Sequence, residues 1–193
     1  MHAPALYFWK RELSKAGFTA EYFSYKSLLH APEKSCERLR AAALAQPDTH
    51  IIAHSLGGLI AVNALATSDF KGKIICVGTP LAGSQVVRQY AETPLSALAG
   101  RSATMLCAGL SHIPDGLQVS AIAGINPQGL GRVFHRFSEP NDGTVALSET
   151  QIPGLAQHLT VHASHSGQLF SKVVVNKAIE LLANAPKAQH KSL

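Results

Sequence analysis

Apolar and polar residues follow one another along this chain in two rhythms. From Ala5 to Ala16, Leu6, Trp9, Leu13 and Ala16 recur at helical spacing until Gly17 interrupts them. Thr19 to Tyr25 alternates aromatic and polar residues, the period of a strand. Pro32 to Ala45 opens on proline, carries Leu39, Ala42 and Ala43, and stops before Pro47, which predicts a helix. His50 to His54 is a short apolar strand. Leu56 to Thr67 repeats Leu59, Ile60, Val62, Asn63 and Ala66 on helical faces.

The second half continues in the same way. Lys73 to Val77 reads as a buried strand ended by Gly78-Thr79-Pro80, Pro94 to Ala108 as a helix, and Gln118 to Ala123 as a strand closed by Gly124. Gly129 to Thr150, with its glycines, Pro140 and an Asn-Asp-Gly turn, is mostly loop. Leu159 to Val161 is a short strand, and Gly167 to Ala183 is a closing amphipathic helix. Strands alternating with helices predict an α/β domain with a mainly parallel sheet. No repeat or low-complexity tract is present, so residues 1–193 are expected to form one domain.

Composition narrows the class. The 193 residues are 46% hydrophobic and 15% charged, which excludes a disordered chain and leaves ample apolar surface for a core. No apolar run reaches the ~18 residues of a membrane span. A net charge of +5 raises the question of nucleic acid, but Lys and Arg are scattered with no basic block or aromatic platform, so nucleic acid is not the expected partner. Cys36, Cys76 and Cys107 are odd in number and dispersed, favouring buried thiols in a reducing compartment over a disulfide framework. With no basic, apolar leader at Met1, a cytoplasmic location is expected, although a mis-assigned start would hide a leader.

The chemistry concentrates at Ala53-His54-Ser55-Leu56-Gly57-Gly58, where an apolar strand runs into Ser55 and a helix begins directly after it. This is the setting of a nucleophile elbow, a sharp turn that projects the serine hydroxyl. Ala53 and Gly57 are small enough to let strand and helix approach. The alternative is Ser55 as a simple helix N-cap, but two glycines in a first helical turn are locally unfavourable by about 1 kcal/mol each relative to alanine.

These residues resemble the α/β-hydrolase family, in particular its bacterial lipases and esterases. The resemblance extends to Gly78-Thr79-Pro80-Leu81-Ala82-Gly83-Ser84, Asn141-Asp142-Gly143-Thr144-Val145 and His165-Ser166-Gly167. It implies an α/β-hydrolase-like three-layer sandwich, a serine nucleophile, an acid in the Asn-Asp-Gly segment and a histidine base near residue 165.

Residue chemistry leads to the same positions. A serine hydroxyl needs a base, imidazole titrates in the useful range, and the imidazole needs an orienting acid. In this fold the chain order is serine, acid, histidine, on loops past the strand ends. Of ten histidines, His165 follows the last strand and precedes the closing helix, with His162 as its competitor. Among Asp48, Asp69, Asp115, Glu139, Asp142 and Glu149, Asp142 lies between the right two strands, with Glu139 and Asp115 behind it. The Leu56 N–H is the expected oxyanion donor. His158, His162 and His165 could also be read as metal ligands, but no acidic residue accompanies them, and neither metal nor cofactor is expected.

The family's earlier strand and His-Gly oxyanion loop do not precede Ala5, so the fold is expected to be N-terminally incomplete. Either Met1 is an internal methionine of a longer protein, the reading preferred here, or a naturally short form closes its sheet differently or with another chain. The expected function is hydrolysis of a small-molecule or lipid acyl ester through Ser55, His165 and Asp142. A thioesterase or acyl transferase would use the same groups, and a weakly active or non-catalytic binding protein would account for the missing loop. Oligomeric state stays open. Leu6-Tyr7-Phe8-Trp9 is expected to put Phe8 and Trp9 on the core or a sheet edge rather than on a membrane.

Overall fold

The computed structural model describes residues 3–24, 31–46, 48–89, 102–128 and 137–183. Their elements, in chain order, are α1 (Ala3–Lys15), α2 (Pro32–Leu44), β1 (Ile51–His54), α3 (Leu56–Leu65), β2 (Lys73–Val77), α4 (Gln85–Gln89), α5 (Ala103–Ala108), β3 (Gln118–Gly124), β4 (Gln157–Val161) and α6 (Lys172–Ala183). The strands form a parallel sheet of four in the order β1-β2-β3-β4, with Ile52 opposite Ile75 and Cys76 opposite Ala121.

Side chains of a strand alternate between faces, so an all-apolar strand must be covered on both. β2 shows this directly. Ile74 and Cys76 join a core with Leu39 and Ala43 of α2 and Leu59, Ile60 and Val62 of α3. Ile75 and Val77 point the other way, to Trp9 and Leu13 of α1 and Val174, Val175 and Ala178 of α6. The result is a helix–sheet–helix sandwich. The unbroken apolar character of α3 follows from its place: Leu59, Ile60, Ala61, Val62, Ala64 and Leu65 are all buried. Trp9 is buried and donates its indole N–H to the Leu169 carbonyl at 2.9 Å, while Phe8 is half-buried and Tyr7 is exposed.

Two expectations are corrected. Thr19 to Tyr25 is not a strand: residues 18–24 run irregularly, and residue 25 lies outside the described residues. Its alternation has another origin. Phe18 and Ala20 pack on the core with Trp9, Phe23 packs on the core with Leu39, and the Tyr22 hydroxyl donates to the Leu6 carbonyl at 2.6 Å. The closing helix is also not continuous. Gly167–Phe170 is a tight 3₁₀ turn, Ser171 is extended, and only then does α6 begin. Of the helix expected over Pro94 to Ala108, residues 94–101 lie outside the described residues and Ala103–Ala108 is helical. Residues 129–136 of the expected loop are likewise outside the described set, and the remainder holds an isolated bridge from Asn141 to Ala146 and a 3₁₀ turn at Ser148–Thr150.

Candidate active site

Ser55 stands between β1 and α3 at φ 55°, ψ −130°. That conformation is unfavourable for a residue with a side chain and is the signature of a sharp strand-to-helix reversal. It makes no side-chain cap bond to the helix, so the N-cap alternative does not describe it. Two backbone bonds hold the turn: Ser55 N–H to Val77 C=O at 2.9 Å, and Gly58 N–H to Ser55 C=O at 3.0 Å. Gly58 is required by packing, because a Cβ there would lie 2.2 Å from Thr79 Oγ1.

Past the ends of β3 and β4, two loops meet the elbow. His165 Nε2 lies 3.1 Å from Ser55 Oγ, and His165 Nδ1 lies 2.7 Å from Asp142 Oδ2. A carboxylate only accepts, so Nδ1 carries the hydrogen and Nε2 offers its lone pair to the serine O–H. The structure therefore brings together the three side chains singled out in the sequence, contributed from three separate strand ends.

Asp142 is buried and its carboxylate is fully engaged. Oδ1 accepts the N–H groups of Thr144 at 2.9 Å and Val145 at 2.7 Å. Oδ2 accepts His165 Nδ1–H and also Gln168 Nε2–H at 2.8 Å. The Asp142 carbonyl accepts His165 N–H at 2.8 Å, so backbone and side chain together fix the histidine. The Asn141 side chain shapes the turn, accepting Gly143 N–H at 2.9 Å, and Gly143 adopts φ 89°, which favours glycine.

Other candidates fall elsewhere. His162 is exposed. His158 Nε2 is 2.8 Å from Thr150 Oγ1, whose own hydrogen goes to Leu147 C=O, so His158, His162 and His165 have three separate environments. Glu139 accepts from Ser148 through both carboxylate oxygens, and Asp115 is exposed. Among the described residues no group of three or more His, Cys, Asp or Glu side chains is arranged to hold a metal ion.

Two neighbours were not foreseen. His54 turns its ring under His165, with centroids 4.6 Å apart, and Nε2 lies 3.0 Å from the His165 carbonyl, to which it must donate. Burial, then the facing His165, push its pKa down to about 3, so it stays neutral. Gln168, with no exposed surface, was hidden in what read as an amphipathic helix.

The Leu56 N–H opens α3 beside Ser55, and no described group accepts its hydrogen. The amino end of a helix presents free N–H groups and a favourable dipole to negative charge. Beneath the elbow, burial pushes the Cys76 thiol up to about 12, so it is inert as a nucleophile.

No protein-family model and no curated protein matches the chain. Solved structures do. The mature form of Bacillus licheniformis lipase BlEst2 superposes with a TM-score of 0.69 at 18% identity, over 89% of this chain and 82% of that one. Its propeptide form gives 0.70 at 18% identity over 95% of this chain, which spans 47% of that longer protein. The metagenomic carboxyl esterase MGS0156 gives 0.59 at 17% identity, covering 78% of this chain and 61% of the esterase. Phospholipase PlaB from Legionella pneumophila gives 0.58 at 13% identity, covering 95% and 57%. The fold is that of the α/β-hydrolases.

Proposed function

We propose that this chain is a serine hydrolase of carboxylic esters, with Ser55 as nucleophile, His165 as general base and acid, Asp142 as its orienting acid, and the Leu56 N–H as oxyanion donor. The observation that carries the proposal is the continuous relay from Ser55 Oγ through His165 to Asp142, at 3.1 and 2.7 Å, on a strained elbow. The likeness to a lipase, a carboxyl esterase and a phospholipase supports the same chemistry. We take residues 1–193 as one domain, and the free thiols of Cys36, Cys76 and Cys107 as suited to a reducing, cytoplasmic setting. No described helix is long and apolar enough to cross a membrane.

In the first half-reaction Ser55 Oγ forms a bond to the ester carbonyl carbon while its proton passes to His165 Nε2. The carbonyl oxygen becomes an oxyanion facing the Leu56 N–H. The intermediate collapses as the C–O bond to the alcohol breaks and His165 returns the proton to that oxygen. Water then attacks the acyl-serine carbonyl carbon and gives a proton to His165, the bond from that carbon to Ser55 Oγ breaks as His165 returns the proton to Oγ, and the acid departs. Asp142 stays ionised throughout and stabilises the transient imidazolium.

A fluorophosphonate probe followed by intact-mass spectrometry tests the proposal. One covalent adduct on the wild-type protein, absent from Ser55→Ala, is expected, and activity on a panel of esters should vanish in the same variant. An unlabelled wild-type protein would overturn the hydrolase assignment. Faster acyl transfer from thioesters, or to alcohols instead of water, would place the chain among thioesterases or acyl transferases.

A further inference from the structure

We propose that Gln168 is a positioning residue for Asp142: its side-chain amide occupies the carboxylate oxygen that also faces His165, and so fixes that oxygen's orientation. Asp142 Oδ2 accepts from His165 Nδ1–H at 2.7 Å and from Gln168 Nε2–H at 2.8 Å. Two donors on one oxygen, with the two backbone N–H groups on Oδ1, leave the carboxylate no freedom to turn away from the imidazole.

Packing alone does not explain a glutamine here. Gln168 is completely buried, and its Oε1 has no hydrogen-bond partner among the described residues. An unsatisfied buried acceptor is unfavourable, and an apolar side chain of the same length would fill the space without it. What methionine or leucine lacks is the N–H. The reverse orientation of the amide would set Oε1 against the carboxylate, so electrostatics selects the placement seen.

The surrounding backbone is cut away for this pair. Gly78 follows β2, and a Cβ there would stand 2.9 Å from Gln168 Nε2 and 3.3 Å from Asp142 Oδ2. Gly124 ends β3, and a Cβ there would stand 2.7 Å from Gln168 Nε2 and 2.8 Å from the Asp142 Cβ. Gln168 sits in the 3₁₀ turn Gly167–Phe170, ahead of extended Ser171, and its N–H donates to the Ser164 carbonyl at 2.9 Å, which holds its backbone beside the acid loop.

The kinetic arm of the test rests on the hydrolase proposal; the spectroscopic arm does not. Gln168→Met keeps length and volume and removes the N–H. With p-nitrophenyl butyrate, kcat is expected to fall about tenfold while KM stays within about twofold. By proton NMR, the His165 Nδ1–H resonance is expected to move upfield, because a carboxylate no longer held by Gln168 turns from the imidazole and the Nδ1–H···Oδ2 bond lengthens. Gln168→Leu should repeat both effects. A resonance at or downfield of the wild-type position in both folded variants overturns the proposal, whether kcat is kept or lost. If neither variant folds, the wild-type protein decides. Scalar coupling across the hydrogen bond between Gln168 Nε2 and the Asp142 carboxylate carbon is expected, and its absence overturns the proposal. Failure of fluorophosphonate labelling, by contrast, removes the hydrolase assignment and leaves the NMR result standing.

Discussion

Asp142 and Glu149 are two buried carboxylates seven positions apart, 1% and 2% exposed, and both receive two backbone N–H groups. They differ in what lies on the far side. Asp142 continues through His165 toward Ser55. Glu149 continues into backbone: it accepts the N–H of Gln85 on one oxygen and of Ala146, at 2.9 Å, on the other, while its carbonyl accepts Ala82 N–H at 2.8 Å. Burial outweighs those donors and holds its carboxyl above the ordinary glutamate range. Burial of a carboxylate is therefore no mark of chemistry by itself. The distinguishing feature is an outward chain of side chains, which from Asp142 ends on the Ser55 hydroxyl, and Glu149 instead staples the acid loop to the segment after β2.

Substitution should separate the two roles. Asp142→Asn keeps the shape but presents an N–H where a carboxylate received one, so the histidine loses its tautomer. Turnover is expected to fall about 10⁴-fold with little change in melting temperature, and wild-type turnover would erase the contrast. Glu149→Gln should do the reverse. One of its two backbone donors would face an NH₂ group, lowering unfolding stability by about 1–3 kcal/mol with turnover within a few-fold of wild type, as read by urea titration and ester hydrolysis. Turnover lost as severely as in Asp142→Asn would mean that both carboxylates belong to the chemistry.

A smaller effect concerns His54. Its folded pKa of about 3 lies below its ordinary value of 6.5, so the unfolded chain binds the extra proton first as pH falls. His54 therefore favours the folded state fully above the ordinary value and progressively less from pH 6.5 down toward 3. In His54→Gln, which retains an N–H donor for the His165 carbonyl, this acid sensitivity should disappear. Between about pH 6.5 and 5, wild-type stability should drop roughly 1–2 kcal/mol more than the variant's. Parallel curves would show that His54 is protonated in the folded protein.

Some of this was legible before any coordinates. β2 matches its predicted limits, Lys73–Val77, because an apolar run closed by glycine leaves little room for another answer. That Ser55, Asp142 and His165 would meet could be anticipated because strand–turn–helix context and chain order constrain them, and a family resemblance reinforced both. What escaped depends on contacts across the fold. The 18–24 segment has the alternation of a strand, yet its aromatic residues are spent on the core, on Leu6 and on cation contacts such as Lys10 over Tyr22. Nothing local in the strand revealed that the His54 ring would pack against His165. Gln168 carries no local signal, since a glutamine in an amphipathic stretch reads as surface. The nearest trace was the pair of glycines, Gly78 and Gly124, at successive strand ends.

The backbone of Ser55 sets stability against side chain. Holding a residue with a side chain at φ 55° is unfavourable by about 1–3 kcal/mol, and glycine would relieve most of it. A single change, Ser55→Gly, would therefore make the fold sturdier and remove the hydroxyl in the same stroke, so at this corner the molecule cannot have both.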